Sequence, residues 1–277
     1  MRRSLPHRTA PTSPVDYGDR VKIALLDSGI GLLAAAAAVR GLRPDADLLL
    51  SCDPDGMPWG PRTPADLTGR ALAAARAAAA HAPDALIVAC NTASVHALPA
   101  LRAELEPAVP VIGTVPAIKP AAAGGGPVAI WATPATTGSP YQRGLIREFA
   151  DSVPVTEVPC PGLADAVEQA DEAAIERAVA AAAARTPADV RAVVLGCTHY
   201  ELVAERIRAA VGASVALLGS AEPVAAQALR RIGSRPAPDA AATGSLTVLL
   251  NGRESGLPGR ATAYAEGRLL QAVPSVH

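Results

Sequence analysis

The stretch DALIVACNTAS, residues 84–94, is a short apolar run that ends at a cysteine and continues into small polar residues. The same pattern returns as RAVVLGCTHYE in residues 191–201, where Cys197 lies 107 positions after Cys90. An apolar run without polar alternation is typical of a parallel strand that is buried on both faces. The two stretches therefore predict two equivalent strands in a protein built from parallel sheets, with a helix start after each.

The similarity between the two halves of the chain extends to other strand ends. VPVIGTVPAIKPAA at residues 109–122 resembles SVALLGSAEPVAAQA at residues 214–228, and the two are about 106 positions apart. The strand before Asp27 keeps the same interval to the strand before Thr133, and a second pair of cysteines follows strands at a similar interval. Four strand ends in register predict a duplicated α/β unit, with a period longer than that of solenoid repeats.

Nine apolar runs alternate with Ala-, Leu- and Arg-rich segments that carry helical spacing. Apolar strands that alternate with helices are typical of sheets covered on both faces, so the predicted fold class is α/β. The duplication predicts two pseudo-symmetric α/β domains with mostly parallel sheets and an active site in the cleft between them. The predicted strands are Val21–Leu26, Asp47–Ser51, Ala85–Ala89, Val109–Ile112, Val128–Trp131, Val155–Val158, Ala192–Leu195, Val215–Leu218 and Leu246–Leu250.

Composition and charge argue against several classes of protein. The chain has 277 residues with 25 basic and 26 acidic side chains, whereas a nucleic-acid-binding protein needs a basic surplus or patch. Its apolar stretches are interrupted well before the roughly 20 residues of a membrane span, so no membrane partner is predicted. Residues 1–20 lack apolar periodicity and are interpreted as a disordered tail.

The four cysteines are Cys52, Cys90, Cys160 and Cys197. They form no C-x-x-C pair and have no zinc-finger spacing, so neither a disulfide framework nor a metal site is predicted. Because no signal segment is recognised, the chain is expected in the reducing cytoplasm. Cys52 and Cys160 are interpreted as small packing residues, whereas Cys90 and Cys197 each precede a helix start.

The positions of Cys90 and Cys197 suit one type of reaction. Sites in α/β sheets form beyond the carboxyl ends of the strands, and a pseudo-twofold arrangement places these thiols on opposite walls of one cleft. One thiol then removes a proton from a carbon atom while the other delivers a proton to the opposite face, which inverts the stereocentre. A thiol becomes basic enough near neutral pH with a modest lowering of its pKa.

The residues after each cysteine indicate how a substrate is held. Asn91 and Thr92 are good helix N-cap residues, and Thr198 with Glu201 has the spacing of a capping box. Free backbone N–H groups at such helix starts bind carboxylates, which favours an acidic small molecule as substrate. His199, two residues after the second thiol, is placed to activate that thiol or to assist proton transfer.

Six stretches resemble motifs of the cofactor-independent aspartate/glutamate racemases, most closely the glutamate-specific members, in the order of that family. They are IALLDSGIG, MPWGPRT, LIVACNTAS, VPVIGTVPA, ATPATTGS and VVLGCTHYEL, and the resemblance spans residues 23–222. It implies that Cys90 and Cys197 are the two acid/base thiols, with Asp27 and His199 also in catalytic roles. The residues implied around the substrate are Asp27, Ser28, Trp59, Gly60, Asn91, Thr92, Thr133, Thr136, Thr198 and His199.

The resemblance carries further expectations about the reaction. His199 favours glutamate over aspartate, and Glu168 aligns with a family acid near the second thiol, where it is a candidate assisting acid. No cofactor is implied, and neither Lys22 nor Lys119 occupies a plausible position for pyridoxal phosphate. The expected product is D-glutamate for peptidoglycan.

The family's chain path implies the domain division and assembly of this protein. The chain leaves the first domain, completes the second and then returns. This implies a first domain of residues 21–116 plus 223–277 and a second domain of residues 117–222. Members of the family often pair as homodimers, so a homodimer is also expected.

Three other functions stay open at this point. Because Trp59 stands where the family usually has tyrosine, a racemase of aspartate or of another amino acid, or a related isomerase, is an alternative. Residues 29–34 fit G-x-G-x-x-A and Asp53 follows the second strand, as in NAD-dependent oxidoreductases, although Asp27 and Ser28 separate the strand from the first glycine. A non-catalytic binding protein is the third alternative, and retention of both thiols argues against it.

Overall fold

The computed structural model describes residues 20–272, which form two sheets of mostly parallel strands. The strands are β1 Lys22–Asp27, β2 Asp47–Cys52, β3 Ala85–Val88, β4 Val111–Gly113, β5 Val128–Ala132, β6 Val155–Pro159, β7 Ala192–Leu195, β8 Ala216–Leu218, β9 Leu246–Leu250 and β10 Arg253–Ser255. The interpretation of residues 1–20 as a tail falls outside the described residues, except for Arg20.

Helices cover the sheets and connect their strands. The α-helices are α1 Leu33–Leu42, α2 Pro64–Ala79, α3 Asn91–His96, α4 Leu98–Leu105, α5 Ile118–Ala123, α6 Pro140–Phe149, α7 Leu163–Gln169, α8 Glu172–Ala183, α9 Thr198–Glu201, α10 Ala204–Val211, α11 Ala221–Arg231 and α12 Ala265–Gln271. Short 3₁₀ helices lie at Ile30–Leu32, Pro54–Gly56 and Gly259–Ala263. Within the described residues, no helix is both long and apolar enough to cross a membrane.

The strand order repeats between the two sheets. The first sheet runs β10-β9-β2-β1-β3-β4 and the second runs β6-β5-β7-β8. The order 2-1-3-4 of the first four strands is therefore the order of the second four, and all of these pairs are parallel. The predicted α/β fold class is confirmed. We call the first sheet with α1–α4, α11 and α12 the first unit, and the second sheet with α5–α10 the second unit.

Each of the nine predicted strands corresponds to a strand of the structure, with bounds shifted by no more than two residues. The prediction missed β10, which pairs antiparallel with β9 at the edge of the first sheet. All three residues of β10 are exposed, so it carries no apolar pattern that a sequence could show. β9 and β10 have no counterpart in the second sheet.

The apolar strands are buried because helices pack on both faces of each sheet. In β1, Ile23 and Leu25 belong to one core, with residues of α1 and α11, whereas Ala24 and Leu26 belong to another, with residues of α2. Side chains alternate between the two faces along a strand, so both faces of β1 require apolar residues. The first of these cores also contains Trp131 of the second unit, so one apolar core is continuous between the units.

Candidate active site

A cavity of about 280 Å³ lies at the carboxyl ends of the strands, between the two units. Every residue that the sequence predicts to contact substrate lines it: Asp27, Ser28, Trp59, Gly60, Cys90, Asn91, Thr92, Thr133, Thr136, Cys197, Thr198 and His199. The candidate assisting acid, Glu168, does not line the cavity but lies directly behind His199. The parallel topology explains this gathering, because the residues after each strand meet at one edge of the sheet.

Cys90 and Cys197 occupy equivalent positions at the ends of β3 and β7. Each is the N-cap of the following helix, with φ/ψ of −144°/119° for Cys90 and −139°/134° for Cys197. Cys90 is buried, and Cys197 is partly exposed. The first unit thus presents Cys90 to the cavity and the second unit presents its equivalent, Cys197.

The predicted capping roles are wrong, because the two cysteines themselves are the N-cap residues. Asn91 and Thr198 are the first residues of α3 and α9, and within the described part of the chain neither N-cap cysteine makes a side-chain capping hydrogen bond. Glu201 instead accepts hydrogen bonds from the Ser220 N–H and hydroxyl, both at 2.9 Å, and from the Ala221 N–H at 3.2 Å. It therefore caps α11, which is remote in sequence, and leaves Thr198 free to face the cavity.

Asp27 places a carboxylate at the wall of the cavity beside Cys90. The residue is 1% exposed, and neither carboxylate oxygen has a hydrogen-bond partner among the described residues. Burial raises the pKa of Asp27 to about 6, although the nearby His199 acts in the opposite direction. The pKa of the Cys90 thiol is raised well above its ordinary value, first by burial and then by the charge of Asp27. Asp27 is therefore a free acceptor for a cationic group.

His199 connects the second thiol to a buried carboxylate. Its Nδ1 lies 3.9 Å from the Cys197 Sγ, and its Nε2 donates to Glu168 Oε2 at 2.9 Å. Burial alone would lower the pKa of His199, but Cys197 and Glu168 outweigh burial and raise it well above its ordinary value. A protonated His199 therefore places a positive charge beside the Cys197 sulfur.

Glu168 is held by groups from both units. Besides His199 of the second unit, it accepts from the Ile30 N–H at 2.8 Å and from Arg260 Nε at 2.9 Å, and both of these donors belong to the first unit. Burial would raise the pKa of Glu168, but these hydrogen bonds and charges overcome it and lower the pKa. The carboxylate is therefore ionised at neutral pH.

Asn91 makes a second direct link across the cavity. Its Nδ2 donates to the Gly196 carbonyl of the second unit at 2.7 Å, and its Oδ1 has no partner among the described residues. A buried polar atom without a partner is costly unless a ligand satisfies it. The Asn91 Oδ1 is thus available to accept a hydrogen bond from a bound molecule.

The alternative of a dinucleotide site does not fit the local structure. A Cβ on Gly31 would lie 2.5 Å from His199 Nδ1 and 2.6 Å from Asp27 Oδ2, so this glycine is required for the close approach of cavity residues. The acid expected to bind ribose, Asp53, instead accepts from the Trp59 Nε1 at 2.9 Å and pairs with Arg70. Residues 29–34 begin with a 3₁₀ helix rather than the tight turn that leads directly into an α-helix in dinucleotide-binding sites.

Several residues that reasoning from sequence missed also lie in or near the cavity. Cys160 lines it, although the sequence indicated only a packing role, and burial raises the pKa of its thiol to about 12. Met57, Pro161 and Asp165 complete parts of the wall. The duplication aligns Cys160 with Cys52, but only Cys160 reaches the cavity, so the repeat alone could not separate the two.

Comparisons with known proteins agree with this geometry. The family model described as Asp/Glu/Hydantoin racemase matches residues 32–229. The chain is 40% identical over 223 residues to a glutamate racemase of Roseiflexus sp. (strain RS-1), an alignment that covers 77% of this chain and 80% of the relative. It is 35% identical to a glutamate racemase of Sphingopyxis alaskensis, with coverage of 79% and 82%.

Among solved structures, the fold is similar to that of Escherichia coli glutamate racemase in complex with L-glutamate and the activator UDP-MurNAc-Ala. The TM-score is 0.77 at 27% identity, and the match covers 93% of this chain and 96% of that chain. The structure of glutamate racemase from Thermus thermophilus in complex with β-chloro-D-alanine matches with a TM-score of 0.67 at 30% identity, over 93% and 96% of the two chains.

Proposed function

Because the chain belongs to the Asp/Glu/hydantoin racemase family and is an amino-acid racemase, we propose that it interconverts L- and D-glutamate. The observation that carries this proposal is the pair of equivalent cysteines, Cys90 and Cys197, that the two units present to one cavity. A planar carbanion between two such groups can be protonated on either face. One unit alone cannot do this, because the two equivalent cysteines belong to different units.

In the proposed reaction, one cysteine acts as a thiolate base and the other as a thiol acid. The thiolate takes the α-proton, so a C–H bond breaks, an S–H bond forms and the electron pair stays on the α-carbon. The opposite thiol then gives its proton to the other face and becomes the thiolate. Each enantiomer is deprotonated by one cysteine, and the roles exchange in the reverse direction.

The two thiols have different assisting groups. Cys197 is paired with His199, whose Nδ1 lies 3.9 Å from the sulfur. Cys90 is buried beside Asp27, and both the burial and the charge of Asp27 raise the pKa of its thiol. A substrate ammonium group that binds Asp27 would neutralise the carboxylate and favour the Cys90 thiolate. Substrate binding therefore prepares Cys90 to act as the base.

The remaining cavity residues supply complementary groups for an amino acid. The unpartnered oxygens of Asp27 and Asn91 accept from the ammonium group. No lysine or arginine lines the cavity within the described part of the chain, so carboxylates are bound by hydroxyls and backbone N–H groups. The residues proposed for this role are Ser28, Trp59, Gly60, Asn91, Thr92, Thr133, Thr136, Thr198 and His199.

The wider role follows from the same proposal. D-glutamate is the expected contribution to peptidoglycan, made in the reducing cytoplasm where free thiols persist. Residues 21–116 plus 223–277 are proposed as one domain and residues 117–222 as the other. The boundary after residue 116 falls between β4 and α5, and the boundary after residue 222 falls in the first turn of α11. We also propose that the protein forms a homodimer.

A racemase of another amino acid is the second candidate. Asp165, an exposed carboxylate, lines the cavity and would repel an acidic side chain that reaches it. The same two-thiol chemistry would then act on an amino acid with a neutral or basic side chain. A panel of neutral and basic amino acids, with aspartate as a further acidic member, distinguishes the two candidates.

Incubation with L-glutamate, and separately with D-glutamate, in deuterated water tests the proposed function. Deuterium should enter the α-position and both enantiomers should appear. Cys90→Ser and Cys197→Ser should each abolish racemisation, whereas Cys52→Ala should retain it, because Cys52 is buried and does not line the cavity. Exchange with neither enantiomer would exclude glutamate, and full activity in either serine variant would exclude the two-thiol mechanism.

A further inference from the structure

Arg260 is the outermost member of a chain of contacts that leads to the second thiol. Its Nε donates to Glu168 Oε1 at 2.9 Å, and a terminal nitrogen lies 2.7 Å from the same oxygen. The other oxygen of Glu168 accepts from His199, whose second ring nitrogen faces Cys197. Arg260 is one-third exposed, whereas the Glu168 side chain is 1% exposed.

We propose that Arg260 is a positioning residue for racemisation, which holds Glu168 so that His199 is oriented and charged beside Cys197. The inference rests on the proposed function of the two thiols and adds a residue that neither lines the cavity nor contacts substrate. It follows that the group formed by Cys197, His199 and Glu168 depends on a segment that lies more than 60 positions after Cys197 in the sequence.

The charge on Glu168 requires such a partner. A buried carboxylate is destabilised unless donors and opposite charges surround it. Glu168 has three: the His199 ring, the Ile30 N–H and the Arg260 guanidinium. Arg260 is the only permanent cation of the three and the only one of them that donates to Oε1, because Ile30 and His199 both donate to Oε2. Without it, Oε1 loses both of its contacts with Arg260, and the carboxylate is held through Oε2 alone.

The segment that carries Arg260 is held firmly against both units. Gly267 of α12 lies so close to the Ala261 carbonyl that a Cβ could not fit between them, and Arg268 donates to the carbonyls of Thr262 and Ala263. α12 packs on α1 of the first unit. The Tyr264 hydroxyl donates to the Val167 carbonyl of α7, next to Glu168.

This placement makes the centre dependent on the arrangement of the units. Glu168 and His199 belong to the second unit, whereas Arg260 and Ile30 belong to the first unit. Separation of the units would remove both first-unit contacts from Glu168 together. His199 would then lose a fixed, ionised partner, and the thiolate of Cys197 would lose its stabilising cation.

Two measurements on the full-length protein test the role of Arg260 with Arg260→Gln and Arg260→Lys. We expect kcat for glutamate racemisation to fall about tenfold in Arg260→Gln with KM changed less than about twofold. We also expect iodoacetamide to alkylate Cys197 of this variant at about one third of the wild-type rate or less. Mass spectrometry of the peptide that contains Cys197 measures this rate at pH 7. Arg260→Lys keeps the positive charge and should restore most of both losses.

The matched control is Arg76→Gln, which removes an exposed arginine that pairs with Glu104 far from the cavity. It should leave kcat and the alkylation rate unchanged. A Glu168→Gln background supplies a second control, because the effect of Arg260→Gln should disappear once Glu168 carries no charge.

Three results would overturn the proposal. The first is that Arg260→Gln racemises glutamate, and is alkylated at Cys197, at wild-type rates. The others are that Arg260→Lys restores neither rate, or that Arg260→Gln still lowers the rates in the Glu168→Gln background. If wild-type protein fails to racemise glutamate, the proposed substrate is wrong, but the alkylation rate of Cys197 still decides the role of Arg260. The lysine variant provides the comparison if the glutamine variant does not fold.

Discussion

Asp27 shows how a single site residue lowers stability. Its carboxylate is buried without a hydrogen-bond partner among the described residues, and burial raises its pKa from 3.8 to about 6. Below pH 3.8 the group is protonated in both the folded and the unfolded protein and costs nothing. Between pH 3.8 and about 6 stability falls, because the unfolded chain ionises while the folded protein still holds the proton, and above about 6 the loss is complete. The unpaired carboxylate is suited to a substrate cation rather than to folding.

Asp27→Asn should therefore stabilise the substrate-free protein while it impairs racemisation. We expect the free energy of unfolding at pH 8 to increase by up to about 3 kcal/mol, since each pKa unit corresponds to about 1.4 kcal/mol. The gain should vanish below pH 4. Urea unfolding of both proteins at pH 4 and pH 8 measures it, and an equal stability at pH 8 would show that the buried charge is not costly.

Gly31 has no Cβ and therefore leaves room for three cavity side chains. Gly31→Ala would place a Cβ within 2.6 Å of His199, Asp27 and Thr198, so we expect about 1 to 3 kcal/mol of destabilisation and a large loss of kcat. Gly41→Ala is the matched control in the same part of the first unit. Outside its own helix and chain neighbours, no atom of the described residues lies within 4 Å of its added Cβ, so it should be neutral or stabilising in thermal unfolding. Equal effects of the two substitutions would contradict this account.

Among the helices, α11 is notable because a residue of the other unit caps it. Glu201 of α9 accepts from Ser220 and from the Ala221 N–H, while α11 packs on α1 of the first unit. A carboxylate at a helix N-terminus satisfies free N–H groups and interacts favourably with the helix dipole. The cap therefore joins the second unit to a helix of the first.

Glu201→Ala should lower the free energy of unfolding by about 2 kcal/mol, because it leaves buried donors without an acceptor. Glu222→Ala changes an exposed acid in the first turn of the same helix and should cost less than about 0.5 kcal/mol. Urea unfolding of the two variants gives the comparison. A Glu201→Ala protein as stable as Glu222→Ala would rule out the cap as a stabilising contact.

At the scale of the whole molecule, the two units are connected rather than merely adjacent. One apolar core runs between them, and Asn91, Glu168 and Glu201 each make hydrogen bonds from one unit to the other. Such contacts favour a single cooperative unfolding transition for both units. The cavity then keeps its shape because neither half unfolds alone.

The two tryptophans test this cooperativity, because Trp59 belongs to the first unit and Trp131 to β5 of the second. In Trp131→Phe, fluorescence reports the first unit, and in Trp59→Phe it reports the second. Within each variant, fluorescence and far-UV circular dichroism should give the same urea midpoint. Saturating glutamate should shift the midpoint of Trp131→Phe upward for both signals. Separate midpoints in either variant would show that the units unfold independently.

Local patterns were sufficient for nine of the ten strands of the described residues and for the residues that follow them. Nine apolar runs predicted nine strands, since a strand buried on both faces must be apolar throughout. The 107-residue interval between Cys90 and Cys197 predicted equivalent positions, and the matching strand orders of the two sheets agree with a duplication. The capping role of Glu201 was not predictable, because Ser220 and Ala221 are about 20 positions away and nothing local marks their approach.

The sequence by itself determined the α/β fold class, the duplication and the set of polar residues at the strand ends, because these depend on short-range periodicity and on the geometry of parallel sheets. Only the tertiary structure decided that Asp27 is buried without a partner, that Cys160 reaches the cavity and Cys52 does not, and that Arg260 holds Glu168. Burial and charge pairing depend on which distant segments pack together. No local pattern encodes the distances between such segments, and the chemistry of Cys197 depends on those distances.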